Sequence, residues 1–363
     1  MSNVSSLPEN LKPEAINPNS LSRDIPGRGA FPKISYVRYA LLSLFTVLGF
    51  IAAIAVNRLF PQIANVQIEP YQIGKSLSID INDLYVLALS GVILLYTAIA
   101  VFSFSDADRR KKFERRMPFR FAIGLVLGLW EVLGTKLLLL PQPFFPGPAR
   151  ILEPFLMEPG YILQQILYSL RLFSYGFVFG VTAGVLTGIL IGWFPKVYYW
   201  VNPVLKISGV IPAVAWMPFA LTLFPTPFSA AIFLITICQW FTIASLTAQG
   251  IQSTPKVHFE VAKTLGAKTP YLVFRVAIPH AMPQIFTGIS IANGFTFTTL
   301  VMVEMMGQPG GLGYYINASK VWSAYYKVFA AIFIMAILFS LILRAVGFVE
   351  SRVLRWQKGL VKS

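Results

Sequence analysis

Two histidines, one cysteine and fifteen carboxylates are all that this chain offers for acid–base, nucleophilic or metal chemistry. His258 and His280 belong to no His-x-x-x-His or Cys pair of the kind a helix-borne metal site requires. Cys238 sits within an apolar run, so neither a disulfide framework nor a cysteine-based metal site is available. No Ser/His/Asp set and no paired carboxylates within one apolar run emerge, which leaves an enzyme little to work with. Gly74-Lys75-Ser76 has the ending of a phosphate-binding loop, but the pattern needs a glycine where Glu69 stands. The expectation is a chain with no catalytic centre, no metal and no bound cofactor.

What remains are polar and ionisable groups inside apolar runs, where they are costly and therefore candidates for function. Glu304 stands near the end of one such run, with Asn293, Thr296, Thr298 and Thr299 before it. Gln239 and Thr242 lie on another run and can face them. A translocation path lined by these groups is one reading; interhelical hydrogen bonding near the membrane edge is the other. Glu131 and Lys136, five apart, are expected to snorkel toward opposite interfaces rather than pair.

A polar stretch carries the densest pattern: Ser253-Thr-Pro-Lys-Val-His-Phe-Glu-Val-Ala-Lys-Thr-Leu-Gly-Ala-Lys-Thr-Pro270. Thr254 before Pro255 reads as an N-cap hydroxyl followed by a proline where no amide bond is lost. Gly266 supplies the left-handed residue that ends a helix. Thr269-Pro270 repeats the start signal, and Pro279 is expected to end the second element. Val257, Val261 and Leu265 recur at i, i+4 and i+8, which places one apolar stripe on the first helix. Two short helices joined by a glycine turn, with an apolar stripe outside any membrane span, suit docking on a partner.

The elements that hold this loop are membrane spans. Apolar residues make up 56% of 363 positions and charged residues 12%, with mean hydropathy +0.66. A soluble chain carries about 25% charged residues, so this one is solvated largely by lipid. Apolar runs give about eight spans, near Tyr39–Val56, Leu84–Phe104, Phe121–Leu140, Phe173–Trp193, Leu205–Phe224, Ser229–Leu246, Ile285–Met306 and Val328–Gly347. Net charge is +15, but the basic residues flank the spans, so topology and anionic lipid explain them better than nucleic acid does. Arg109, Arg110, Lys111, Lys112, Arg115, Arg116 and Arg120, against three acids, mark the loop between spans two and three as cytosolic. Alternation then puts both termini and the 250–282 loop in the cytosol. Gly176, Gly180, Gly184, Gly188 and Gly192 make a smooth stripe for close helix packing, its partner either internal or in a second subunit.

At this point the loop resembles a known signature. Glu260-Val-Ala262, then Gly266 after three residues, then Val276-Ala-Ile-Pro279 after nine, is similar to the EAA motif of binding-protein-dependent ABC importer permeases. Val261, Val276 and Ile278 depart from that motif by small or aliphatic swaps. From Leu129-Trp130-Glu131 to Arg355-Trp356 the chain resembles the nitrate, taurine, sulfonate and bicarbonate branch. Leu140-Pro141, Pro146-Gly-Pro148, Ser169-Leu170-Arg171, Ile211-Pro212, Glu304-Met305 and Gly311-Leu-Gly313 carry that likeness.

The resemblance implies an all-α membrane protein with a type I importer permease core of six spans over 119–363; the first two spans fall outside it as an extra hairpin over 37–118, and the Pro-, Ser- and Asn-rich 1–36 reads as a disordered cytosolic tail. It implies that Val257, Glu260, Val261, Ala262, Leu265, Gly266 and Pro279 couple the chain to an ATPase, Glu260 as a charged contact and Gly266 as the bend. The implied partners are an ATP-binding subunit holding ATP and Mg, a periplasmic or lipoprotein solute-binding protein, a second permease forming a homodimer, and membrane lipid. The implied location is the inner membrane, and the implied solute is nitrate, sulfonate, taurine or bicarbonate, with small pyrimidine-like solutes open. An ion-gradient-driven secondary transporter, using Glu131 and Glu304, is the competing class.

Overall fold

The computed structural model describes residues 36–60, 71–73 and 77–356. The segment 1–35, where a disordered tail is expected, and Gly74, Lys75 and Ser76 lie outside the described residues. Among those described, seven helices are long and apolar enough to cross a membrane, eight if one bent pair counts as a span.

The N-terminal part is built from α1 (Tyr36–Leu59), a two-stranded antiparallel hairpin of β1 (Tyr71–Ile73) and β2 (Leu77–Ile79), α2 (Ile81–Phe104), the short basic α3 (Ala107–Arg115) and α4 (Met117–Glu131). α1 lies against α4. A Cβ on Gly49 would lie 2.5 Å from the Phe121 carbonyl oxygen, and one on Gly124 2.5 Å from the Phe50 nitrogen. Gly128 and Ala53 continue the same seam, one turn along. Small residues four apart on both helices let two backbones approach in a medium with no hydrophobic drive between helices. Thus α1 packs directly on α4, across the boundary expected at 118/119.

Lys136 and Glu131 also differ from expectation. Glu131 is fully buried, its Oε1 accepting from Asn57 Nδ2 at 3.2 Å and Thr135 Oγ1 at 2.9 Å. Lys136 Nζ donates to the carbonyls of Asn57 (3.4 Å) and Phe60 (2.6 Å), at the C-terminal end of α1 where the helix dipole favours a cation. A π turn over Val132–Lys136 brings this about. Glu131 has donors inside the bundle and does not snorkel; Lys136 alone reaches the helix end.

The core comprises a 3₁₀ turn Ala149–Leu152, α5 (Glu153–Met157), α6 (Pro159–Trp193), α7 (Pro195–Val210), a 3₁₀ turn Ala213–Trp216, α8 (Met217–Leu223), α9 (Pro227–Gln252), α10 (Lys256–Thr264), α11 (Thr269–Tyr271), a π segment Leu272–Ala277, α12 (Ile278–Gly307), α13 (Leu312–Val321) and α14 (Tyr325–Val353). The straight span expected at Leu205–Phe224 is instead a pair bent by 104°. Ile211 before Pro212 is driven to extended backbone, and Pro212 donates no hydrogen bond, so α7 ends there.

The glycine stripe of α6 lies on α9 of the same chain. Cβ atoms added at Gly184, Gly188 and Gly192 would come 2.7 Å from Ile243 Cβ, 2.5 Å from Thr247 Cβ and 3.0 Å from Ile251 Cβ. Gly176 and Gly180 meet Ile235 and Gln239 as closely. On its other side α9 takes α12, where Gly250 faces Ala281 and Gly288 faces Leu246.

Candidate functional site

The loop after α9 forms a helix, a glycine turn and a second helix. The start differs in detail from the capping expected: Pro255 holds the cap position in extended geometry, and the Thr254 hydroxyl is buried without a partner among the described residues. Gly266 ends α10 with φ +82°, while the amides of Gly266 and Ala267 donate to the carbonyls of Lys263 (2.9 Å) and Ala262 (3.0 Å). This pair of hydrogen bonds closes the helix with a left-handed residue, as glycine allows. The second helix does not stop at Pro279. It runs through the π segment into α12, whose wider turn displaces the carbonyl that a proline ring meets in a regular helix.

α10 has two contrasting faces. Phe259 points inward and meets the Trp193 ring edge-on at 5.5 Å. Val257, Val261 and Leu265 point away and are 63%, 54% and 84% exposed. They form a contiguous exposed apolar stripe beside Lys256, Glu260 and Lys263. Glu260 lines a cleft of ≈ 310 Å³ with Trp193, Lys263, Thr269 and Leu272. Ala262 lines a larger one of ≈ 840 Å³ with Val261, Leu265, Lys268 and Arg275. Pro279 is exposed at the root of α12. The fold also brings His258 and His280 together, ring centroids 6.4 Å apart, a proximity that sequence spacing did not reveal. Among the described residues no three His, Cys, Asp or Glu side chains gather as a metal site needs.

The polar residues inside the spans fall into two groups. Gln239, Asn293, Thr296 and Thr299 are buried along the α6–α9–α12 seam. Gln239 Nε2 donates to the Gly176 carbonyl at 3.0 Å, which the missing glycine side chain leaves accessible. Thr296 Oγ1 donates to Ala292 O at 2.9 Å, and Thr299 Oγ1 to Cys238 Sγ at 3.1 Å. Both amide atoms of Asn293 and Gln239 Oε1 are buried without a partner among the described residues. Unpaired polar atoms at that depth cost free energy, which sets this seam apart from the apolar packing around it.

Glu304 is not with them. It is 1% exposed and sits at the opposite end of α12 from the loop, where its Oε2 accepts the Gly313 amide at 2.8 Å. Gln165 Oε1 and Ser169 Oγ, both on α6, accept the two preceding amides, Gly311 and Leu312, each at 2.8 Å. Three successive amides opening α13 are thus held by side chains of two other helices. Gln165 had no sequence signal that pointed to it; Gly311-Leu-Gly313 was the readable part. Farther along α13, Tyr315 donates to Glu158 Oε1 at 2.6 Å, and Lys327 pairs with the same carboxylate at 2.8 Å. Burial first, and then that carboxylate, raises the Tyr315 hydroxyl above its usual pKa and keeps it a donor.

Residues 180–355 match the sequence model of the family described as binding-protein-dependent transport system inner membrane component. A nitrate import permease of Leptolyngbya laminosa is 32% identical over 254 residues, 67% of this chain and 89% of that protein. A Bacillus subtilis permease assigned provisionally to aliphatic sulfonates is 28% identical, over 70% of this chain and 93% of its own. A bicarbonate transport permease of Synechocystis is 28% identical, over 71% and 94%.

Proposed function

The chain belongs to the family of binding-protein-dependent transport system inner membrane components, and from that membership we propose that it carries a small anion as one of two identical permeases, driven through α10. Membership makes it a multi-pass inner-membrane permease subunit of an ABC importer, with ATP hydrolysed on a separate chain and solute delivered by a binding protein. Relatives named for nitrate, aliphatic sulfonates and bicarbonate support an anion as solute.

The observation that carries the coupling role is the two-faced α10. Its outward stripe of Val257, Val261 and Leu265 offers a partner about one helix face of apolar contact, while Phe259 fixes the helix to the end of α6. Glu260 adds a charged contact, Ala262 keeps the helix slim above its cleft, Gly266 sets the turn, and Pro279 opens the helix that receives the motion. Both termini and α10 face the cytosol in this reading, which the basic α3 supports. Gln239, Asn293, Thr296 and Thr299 contribute to the path, the unpaired amides of the seam being available to water or solute when the helices part.

Co-purification of the chain with its ATPase, wild type against Glu260→Ala and Gly266→Pro, tests the coupling. Loss of binding or of transport-linked hydrolysis in the variants is the expected result; variants that match wild type in both overturn it. Uptake of labelled nitrate, bicarbonate and an alkyl sulfonate into proteoliposomes tests the solute, and uptake of none of the three sinks the anion reading.

A further inference from the structure

Glu304, Gln165 and Ser169 act together on one short helix. A carboxylate buried at a helix end is stabilised by the free amides and the dipole there, so each group satisfies the other. The match is close: a Cβ on Gly311 would lie 2.5 Å from Glu304 Oε1, and one on Gly313 2.7 Å from Glu304 Cβ. Gly311 also has φ +108°, a conformation that other residues rarely adopt. The two glycines therefore make room for the carboxylate and give the backbone its turn toward it.

α13 has a different relation to α14. Between those helices the contact is apolar, with Tyr315 and Ile316 against Val328, Ala331 and Met335. The link between them is a tight turn at Ser323, where φ is +54°. Apolar contact is non-directional and tolerates sliding, whereas hydrogen bonds to three consecutive amides fix position and angle. Glu158 at the foot of α6 holds both neighbours, accepting from Tyr315 of α13 and pairing with Lys327 of α14.

We propose that Glu304 is the positioning residue of α13: with Gln165 and Ser169 it locks that helix onto α6 and α12, so that α13 moves with them and carries the motion started at α10 to the opposite mouth of the transporter. This rests on the importer reading and on α13 facing away from the ATPase. Glu304 acts here as an acceptor for backbone amides, with no contact to solute. Its replacement by another acceptor is tolerated, and its loss uncouples.

The test uses the complete transporter, this chain with its ATPase and binding protein, in proteoliposomes. Glu304→Gln keeps an acceptor and is expected to leave uptake KM unchanged and maximal rate within about threefold of wild type, whereas Glu304→Leu lowers the maximal rate by about tenfold or more at unchanged KM. A Trp322→Cys reporter, at an 83% exposed position ending α13, gives a second readout. Its labelling by a membrane-impermeant maleimide changes between nucleotide-free and vanadate-trapped wild type, and does not change with Glu304→Leu, although basal ATPase activity persists. If Glu304→Leu does not assemble, Ser169→Ala and Gln165→Leu serve in its place, each giving a smaller loss of the nucleotide-dependent labelling change. A KM or selectivity shift with Glu304→Gln, or nucleotide-dependent labelling retained in the Leu, Ala and Leu variants, overturns the proposal. If wild type itself shows no binding-protein-stimulated hydrolysis, the importer reading fails instead, which keeps the two apart.

Discussion

Phe259 of α10 meets Trp193, the last residue of α6, edge to face with ring centroids 5.5 Å apart. This contact joins the helix expected to touch the ATPase to the helix that spans the membrane from α13's mount. An aromatic pair of this geometry contributes about 0.5–1.5 kcal/mol beyond its buried area. Phe259→Ala leaves Val257, Val261 and Leu265 untouched, so the ATPase is expected still to bind. Transport should fall several-fold while hydrolysis continues, and Phe259→Leu should recover part of the loss. Uptake and phosphate release measured on one preparation check this; parallel loss of both would show that α10 had simply detached.

The seam between α6 and α9 predicts a stability effect with its own control. At Gly184 an added Cβ lies 2.7 Å from Ile243 Cβ, so a neighbour must shift to admit it. Gly184→Ala is expected to cost about 1–3 kcal/mol through overpacking. Gly294, on α12, has nothing within 4 Å of an added Cβ. Gly294→Ala should therefore be neutral or stabilising, because alanine suits a helix better than glycine. Thermal unfolding of the two variants in the same detergent decides. Equal melting shifts would mean that the stripe is not under tight packing.

Asn57 supports a carboxylate that has no access to water. Glu131 is fully buried, and Asn57 Nδ2 is one of its donors. Asn57→Ala removes that donor and leaves the acceptor where it was, a loss of about 1–3 kcal/mol. Lys136→Ala removes a cation from the C-terminal carbonyls of α1, worth about 0.3–1 kcal/mol. The asparagine variant is thus expected to melt below the lysine variant. The reverse order would place most of the hairpin's anchorage on Lys136.

Why some of this was readable in the sequence and some was not follows from the range of each interaction. Lipid-solvated spans announce themselves through apolar length, and Gly266 through its place after a 3.6-residue stripe, because both signals are local. The glycine stripe named its own face but not its partner, since any helix can fill a smooth groove; only the fold shows Ile243, Thr247 and Ile251 there. Gly49 with Ala53, and Gly124 with Gly128, are likewise small-residue pairs that name a face, and only the fold shows that they face each other. The Leu205–Phe224 run looked like one span because hydropathy sums over a proline that backbone geometry does not ignore. Glu304 was singled out for its cost in a span. What the cost was offset by, three amides of α13 shared with Gln165 and Ser169, depends on residues about 140 positions away in the chain.

Gly266 separates backbone geometry from space. Its φ is +82°, and a Cβ added there meets nothing within 4 Å. A Cβ fits sterically, so the consequences are expected to follow from what the left-handed conformation costs each residue. Asparagine enters that region with the least penalty, alanine pays about 1 kcal/mol or more, and a β-branched residue pays most. The expected order of transport activity is therefore glycine, then Gly266→Asn, then Gly266→Ala, then Gly266→Val, with a loss for valine of about tenfold. The turn opens between α10 and the helix leading into α12, so the variants should also weaken ATPase association in the same order. Uptake rates and pull-down yields for the four proteins test the series. If asparagine and valine are equally impaired, a partner side chain must fill the space beside Gly266, and the open surface seen in the isolated chain is where the ATPase sits.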